Sequence, residues 1–271
     1  MSLRSFGPVS ENSVAELRHT WITSGVLTRI QSALRDAIRA DAERVGPFLV
    51  RFDAHSDNPF MNYAVPDDGA PPTPADVDAL VTAFRARSRT PRLEYLRPSP
   101  PVDAVLAAAG FTVDQLLPVM VVDELTTPPP RAGLTLEAVT SDEDLLAVSV
   151  VQNTAFGVGG TAGDEDVARQ RSLLRDNGVI VLARWDGEPA GAGAYTAPGH
   201  GLSQVAGIAV LPSFRQRGIA SAVCADLTAR VFDSGCTPFL ETEPDDKVTR
   251  LYGPLGYRTI GESASITLKS A

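Results

Sequence analysis

The stretch VLPSFRQRGIAS, residues 210–221, decides how the rest of the chain is read. An apolar run ends at Leu211, Arg215 and Arg217 flank Gln216 just ahead of Gly218, and an amphipathic run opens at Ile219. Ile219, Val223, Leu227 and Val231 recur at helical spacing, so a strand gives way to a helix here. A helix N-terminus leaves about four backbone N–H groups unpaired and carries partial positive charge. It is an anion site before any side chain is added. Gly218 and the small Ala220 let phosphate oxygens approach the backbone, and Arg215 and Arg217 add charge and bidentate donors. This is chemistry for a pyrophosphate, without the lysine of a Walker loop.

Working outward, residues 178–198 predict a hairpin turning at Asp186-Gly187, and residues 202–212 predict a third strand beside it. Residues 238–244 predict another strand, and residues 245–256 a helix stopped by Gly256. The closing strands are expected over residues 257–268. Upstream, residues 134–139 predict a strand and residues 140–156 a helix capped by Thr140 or Ser141. The loop GVGGTAG, residues 157–163, contains G-x-G-x-x-A but follows a helical pattern, which makes it a poor dinucleotide fingerprint. A polar helix is expected at residues 164–175.

The run TTPPPRAG, residues 126–133, is the clearest linker, since three prolines continue neither a helix nor a central strand. Before it, helices are expected at residues 13–42, 75–87 (with Thr73 as cap and Pro74 in the first turn) and 101–110. Strands are expected at residues 48–54, 92–98 and 116–125. The chain thus divides into residues 1–125, the linker 126–133 and residues 134–271.

RQRGIA matches the pyrophosphate signature Arg/Gln-x-x-Gly-x-Gly/Ala of the GNAT superfamily of acyl-CoA-dependent N-acyltransferases, at Arg215, Gly218 and Ala220. GIAVLPSF resembles that family's central splayed strand, and DDKVTRLYGPLGYRTIGE resembles its C-terminal motif of Leu-Tyr followed by Gly-aromatic. The order of elements from Leu134 onward is similar to the same fold. The chain is therefore expected to be an α/β protein with a mixed sheet and two acyl-CoA N-acyltransferase-like domains, the second being catalytic.

The resemblance implies acetyl-CoA as acyl donor and no metal. It implies that backbone groups of Ile208, Ala209 and Val210 pair with the pantetheine arm. The amides of Arg215, Gln216, Arg217, Gly218, Ile219, Ala220 and Ser221 would hold the pyrophosphate, and Tyr252 would protonate the departing thiolate. The family often has Asn seven residues before that tyrosine. Asp245 stands there instead, able to accept hydrogen bonds from the CoA arm but not to donate as an amide does. The loop at residues 157–163 matches the segment covering the acceptor site.

The base is not fixed by the resemblance. Glu241 and Glu243 lie two apart on a predicted strand and so share a face; they read either as a general base, direct or through water, or as a solvated strand face. Tyr252 likewise reads as an acid or as core packing.

The first half echoes the second. Residues 90–122 and residues 237–268 align at Thr-Pro, Leu-Glu, a helix and Gly-aromatic. The first half lacks the Arg/Gln-x-x-Gly-x-Gly/Ala stretch and has no tyrosine at the matching place before Ala109-Gly110-Phe111. Residues 1–125 therefore resemble a degenerate acyltransferase-like domain without a CoA motif, as in tandem GNAT proteins.

Composition narrows the class. The chain has 271 residues, 44% hydrophobic and 21% charged, with a net charge of −9. Wholesale neutralisation of nucleic-acid phosphates does not suit that balance. No apolar run approaches the ~20 residues of a membrane span, and no leader pattern opens the chain, so a cytoplasmic location is expected. Cys224 and Cys236 read as small apolar residues in a reducing compartment. His19, His55 and His200 fit no metal-ligand spacing. The leading expectation is transfer of an acetyl group to a primary amine of a small molecule or peptide, with no nucleic acid or membrane partner. The alternative is a non-catalytic acyl-CoA-binding or regulatory module. Oligomeric state is left open by the residues.

Overall fold

The computed structural model describes residues 11–53, 58–67, 71–158, 161–244 and 250–269. The first half runs α1 (Glu11–Arg39), β1 (Ala42–Val45), β2 (Phe48–Arg51), β3 (Tyr63–Pro66), α2 (Pro74–Arg85), β4 (Arg92–Arg97), α3 (Pro100–Ala108) and β5 (Thr112–Val121). The second runs β6 (Leu134–Ala138), α4 (Asp142–Phe156), α5 (Asp164–Arg175), β7 (Val179–Trp185), β8 (Glu188–Tyr195), β9 (Leu202–Val210), α6 (Ile219–Asp233), β10 (Thr237–Glu241) and β11 (Arg258–Thr267).

Local chemistry accounts for many boundaries. Thr73 caps α2 in a reciprocal box: its Oγ1 accepts the Asp76 N–H at 3.3 Å, and the Asp76 carboxylate accepts the Thr73 N–H at 2.8 Å. Ser141, not Thr140, caps α4 by accepting the Asp144 N–H at 3.2 Å. Asp186 and Gly187 take φ of 49° and 88°, the pair of positive values that a two-residue hairpin turn requires. Two expectations are corrected. The closing segment is one strand rather than several, because an irregularity between Thr259 and Gly261 absorbs the extra residue while pairing with β5 continues. β5 begins at Thr112, earlier than its apolar run, because β11 pairs with it as far as Thr267↔Thr112.

The strands form one eleven-stranded sheet in the order β1-β2-β3-β4-β11-β5-β10-β9-β8-β7-β6. Among the described residues only β3–β4 and β9–β10 are parallel, and each follows a helical crossover, α2 and α6 respectively. The two halves thus repeat one topology, in which a meander leads to a parallel pair and then to a long last strand. Those last strands are exchanged. β11 lies between β4 and β5 of the first half, and β5 lies between β10 and β11 of the second. Pulling the halves apart would unpair β4–β11 and β5–β10 and leave open edges on both.

The two faces of the sheet bury different helices. α6 packs on the face that carries Val181, Ala183, Val205 and Leu240, with Ile219, Val223, Leu227 and Val231 all within 1% of full burial. Gly191 and Gly193 make this close approach possible, since a Cβ there would meet the Ile219 Cγ2 at 2.7 Å and the Val223 Cγ1 at 2.8 Å. α4 packs on the opposite face, over Ile180, Leu182, Ala192 and Ala209. α1 lies on that opposite face too. Its Val26 and Ile30 pack with Leu96, Val119, Val121, Leu202, Phe239 and Ile260, drawn from both halves. Arg29 on α1 donates to the carbonyls of His200 and Gly201 at 3.3 and 3.4 Å, and Asp36 meets the His200 Nε2 at 2.7 Å. Among the described residues no helix is long and apolar enough to cross a membrane.

Candidate active site

The site is organised by a gap between parallel neighbours. β9 and β10 pair at Leu202, Ser203 and Gln204. Beyond that point β10 turns to β5, pairing Leu240 and Glu241 with Met120 and Val119, while β9 runs on to Val210 beside β8. Ile208, Ala209 and Val210 therefore lie on a stretch of β9 whose β10 side has no strand partner among the described residues. Within it β9 bulges: Ala192 pairs with Ala209 and Ala194 with Ala206, so one extra residue is taken up between them. Gly207 supplies the positive φ, 64°, and its carbonyl accepts from the Gln152 Nε2 at 2.9 Å. Gln152 is held in turn by the Gln170 Nε2, at 2.9 Å from its Oε1. The bulge is clamped by α4 and α5.

The strand then leads into the arginine loop. Gln216 and Gly218 both adopt positive φ, 63° and 81°, and Gly218 is the N-cap of α6. A non-glycine residue in this conformation costs about 1–2 kcal/mol, and alternating backbone hands of this kind turn successive N–H groups into an anion-binding concavity. Arg217 is held over the rings of Trp185 and Phe214, 5.2 Å from each centroid. Arg215 reaches back to the carbonyls of Val210 and Ala155 at 3.5 and 3.4 Å. A third guanidinium stands here that sequence reasoning missed. A Cβ on Gly218 would lie 3.1 Å from the Nε and 3.4 Å from a terminal nitrogen of Arg131. Arg131 belongs to the Pro-rich linker, far from the motif in sequence, and nothing in its local pattern marks it.

Tyr252 is buried against Leu240, Cys224 and Leu255, on the α6 face. Its ring meets that of Tyr257 edge to face at 5.9 Å, and Tyr257 is anchored by a 2.7 Å hydrogen bond between its hydroxyl and that of Thr228. Burial, with the Cys224 thiol adding to it, pushes the Tyr252 phenol well above its ordinary range. The group keeps its proton at neutral pH. Burial likewise pushes the Cys224 thiol up to about 12, so Cys224 is an inert neighbour.

The two glutamates separate. β10 ends at Glu241, and Glu243 lies beyond it, exposed. The strand expected to carry both stops because its partner reaches Pro118. The Thr242 N–H still donates to the Pro118 carbonyl at 3.1 Å, but a proline has no N–H to return. Glu241 follows Phe239 by strand alternation onto the face covered by α1 and α4. Burial raises its carboxyl above the ordinary range; Ser263 beside it opposes that, Glu94 adds to it, and Gln204 opposes it. Tyr252 and Glu241 thus lie on opposite faces of the sheet.

This placement carries a prediction. A carboxyl raised in the folded state binds more protons there than in the unfolded chain, so its contribution to stability is lost as pH rises from the ordinary glutamate range through the raised value. Glu241→Gln should therefore flatten the fall of Tm across that window and raise Tm at neutral pH. If Glu241 is the base, the same change lowers kcat by about 100-fold or more. Thermal melts over a pH series and steady-state rates check both, and an unchanged Tm profile would remove the buried-carboxyl assignment.

Asp245 lies outside the described residues, as does His55. His200 faces Asp36 at the surface. Among the described residues no cluster of three or more His, Cys, Asp and Glu could hold a metal ion.

Residues 147–257 match the model of the Acetyltransferase (GNAT) family. A GCN5-related N-acetyltransferase from Kribbella flavida is 25% identical, with a TM-score of 0.71 over 91% of this chain and 96% of that one. An acetyltransferase from the GNAT family of Colwellia psychrerythraea is 14% identical, with a TM-score of 0.60 over 88% of this chain and 96% of that one. A tandem GNAT protein from the clavulanic acid biosynthesis pathway is 18% identical, with a TM-score of 0.56 over 78% and 79% of the two chains. The last two are likenesses of fold. No curated protein matches the chain. With the diverging parallel pair, the bulged strand and the arginine loop in one place, residues 147–257 carry a domain of the Acetyltransferase (GNAT) family.

Proposed function

We propose that the chain is an N-acetyltransferase that takes its acetyl group from acetyl-CoA and delivers it to a primary amine of a small molecule or peptide. The observation that carries this reading is the left-handed turn at Gln216 and Gly218 opening α6 directly beside the unpaired edge of β9. The residues present fit CoA. Gly218, having no Cβ, lets the Arg131 guanidinium stand against the loop backbone, the loop amides and Arg215 and Arg217 would hold the pyrophosphate, and Ile208 to Val210 offer backbone groups to the pantetheine arm. Acetyl-CoA, when bound, supplies an activated acetyl thioester.

The chain's own residues would do the rest. A backbone N–H of the bulged strand would polarise the carbonyl. Glu241 would take a proton from the incoming ammonium, and Tyr252 would give one to the departing sulfur. The net charge of −9 favours a cationic acceptor. On this reading residues 1–125 are a diverged copy of the same fold that has lost the arginine–glycine loop, and the site of action is the cytoplasm.

Calorimetric titration with acetyl-CoA, followed by a panel of amines scored by thiol release, tests the proposal. Saturable binding with amine-dependent release supports it. Binding without release by any amine would leave the non-catalytic reading in its place. Arg131→Ala should weaken acetyl-CoA binding by about tenfold, as expected for loss of one charge-assisted contact. An unchanged dissociation constant would return Arg131 to the linker.

A further inference from the structure

The bulge in β9 is held from outside the sheet. Gly207 carries its positive φ of 64°, and a Cβ there would lie 2.6 Å from the Gln152 Nε2, so glycine is what lets an amide of α4 reach the strand. Chemistry fixes the orientation of that amide. A carbonyl only accepts, so Gln152 presents its Nε2 to the Gly207 carbonyl, at 2.9 Å, and must turn its Oε1 the other way. Gln170 on α5 meets that oxygen with its own Nε2 at 2.9 Å. The adjacent Arg171 ties α5 to α4, its Nε donating to the Asp142 carboxylate at 2.7 Å. The two glutamines form a relay from α5 through α4 to one peptide of the sheet.

The direction of that peptide matters. In a regular strand the carbonyls and amides are aimed at the neighbouring strands; at Gly207 the carbonyl is aimed at a helix instead. Among the described residues the one cis peptide is Arg97-Pro98, so the peptide joining Gly207 to Ile208 is trans, and in a trans peptide C=O and N–H point opposite ways. With the Gly207 carbonyl held toward α4, the Ile208 N–H is directed away from α4. Tyr252 is buried on the face opposite α4, and Ile208 stands beside the gap where β9 and β10 have parted.

We propose that Gln152, backed by Gln170, is a positioning residue for acetyl transfer: it fixes the plane of the Gly207–Ile208 peptide so that the Ile208 N–H is the donor that meets the thioester oxygen as the attacking amine drives negative charge onto it. Gln152 acts through the strand and not on the substrate. A donor set in place beforehand needs no reorganisation when the charge develops. A peptide left to swing beside a glycine, the most permissive of residues, loses that advantage. This role rests on the acetyl-transfer reading and adds to it two residues that lie outside the arginine loop and the gap.

Gln152→Met keeps the length of the side chain and removes the donor. Assayed on the full chain with acetyl-CoA and an amine that the natural chain accepts, it is expected to lower kcat by about tenfold or more while the acetyl-CoA dissociation constant stays within about threefold. Gln170→Leu should act in the same direction with a smaller loss. Gln152→Glu sets a carboxylate oxygen against the Gly207 carbonyl, and protonation restores a donor there. Its kcat, taken relative to that of the natural chain, should therefore recover as pH falls toward the ordinary glutamate range. A merely structural Gln152 would lower Tm and leave kcat and that ratio unmoved. Nitrogen-15 NMR of the natural chain needs no variant to fold: the Ile208 amide proton should move downfield when acetyl-CoA binds. An unchanged kcat in Gln152→Met, or an Ile208 amide that does not respond to bound acetyl-CoA, would overturn the role of Gln152 and leave acetyl transfer standing. A natural chain that acetylates no amine would instead overturn the acetyl-transfer reading, and this role with it.

Discussion

Gly218→Glu is expected to abolish acetyl-CoA binding, raising the dissociation constant by about 100-fold or more, equivalent to about 2.7 kcal/mol. Three effects act together at this one position. Gly218 holds φ at 81°, where any side chain is strained by about 1–2 kcal/mol. Its Cβ would lie 3.1 Å from the Arg131 Nε, and a glutamate there would draw that guanidinium to itself instead of to a phosphate. Its carboxylate would also stand at the N-terminus of α6, in the place proposed for the pyrophosphate, adding like-charge repulsion to the lost space. The chain should still fold. Gly218 caps α6 from the surface, the contact it would make is the far end of a flexible side chain, and an acidic group suits a helix N-terminus. Calorimetry with acetyl-CoA reads the loss, and far-UV circular dichroism controls for folding. Gly218→Ala carries the strain without the charge, so it should lose less. A Gly218→Glu chain that binds acetyl-CoA normally would place the cofactor elsewhere.

Tyr252→Phe should lower kcat by about 100- to 1,000-fold while the acetyl-CoA dissociation constant holds. The change removes one hydroxyl from a ring that stays packed against Leu240 and Leu255 and edge-on to Tyr257. No hydrogen bond from that hydroxyl to the described residues is lost, so Tm should move little. Because burial holds the phenol well above its ordinary range, the hydroxyl keeps its proton through neutral and mildly alkaline pH. The rate of the natural chain should therefore show no alkaline fall attributable to Tyr252 in that range. A structural role predicts the opposite split, with stability lost and kcat kept. Unchanged turnover would leave Tyr252 as core and send the search for the acid to another group.

Much of this site was legible in order along the chain. The arginines, the glycine and the helix stripe of residues 215–231 sit within a few turns of one another, and local backbone preference suffices to place them. The same holds for the Asp186-Gly187 turn and the Thr73 cap, each of which is a contact between near neighbours. Glu243 was not legible in this way. Alternation alone pairs it with Glu241, and only the arrival of Pro118 from the other half of the chain ends the strand between them. Arg131 escaped for a related reason. Its neighbour Gly218 is 87 residues away, and a linker arginine carries no pattern that distinguishes it.

By itself the sequence determined most of the elements and their order, the strand-to-helix turn at residues 212–218 and the echo between two halves, because these follow from short-range periodicity and turn chemistry; the short strands β1 and β3 it did not mark, since four residues carry too little alternation. Only the tertiary structure decided that β5 and β11 change places, that α1 spans strands of both halves, and that Glu241 and Tyr252 lie on opposite faces of the sheet. Strand pairing leaves no local trace in residues whose two faces are both covered: the Val119–Val121 and Phe239–Leu240 segments read as buried strands whichever neighbour they take. Which edge each one meets is settled by the burial and hydrogen bonding of the whole sheet at once.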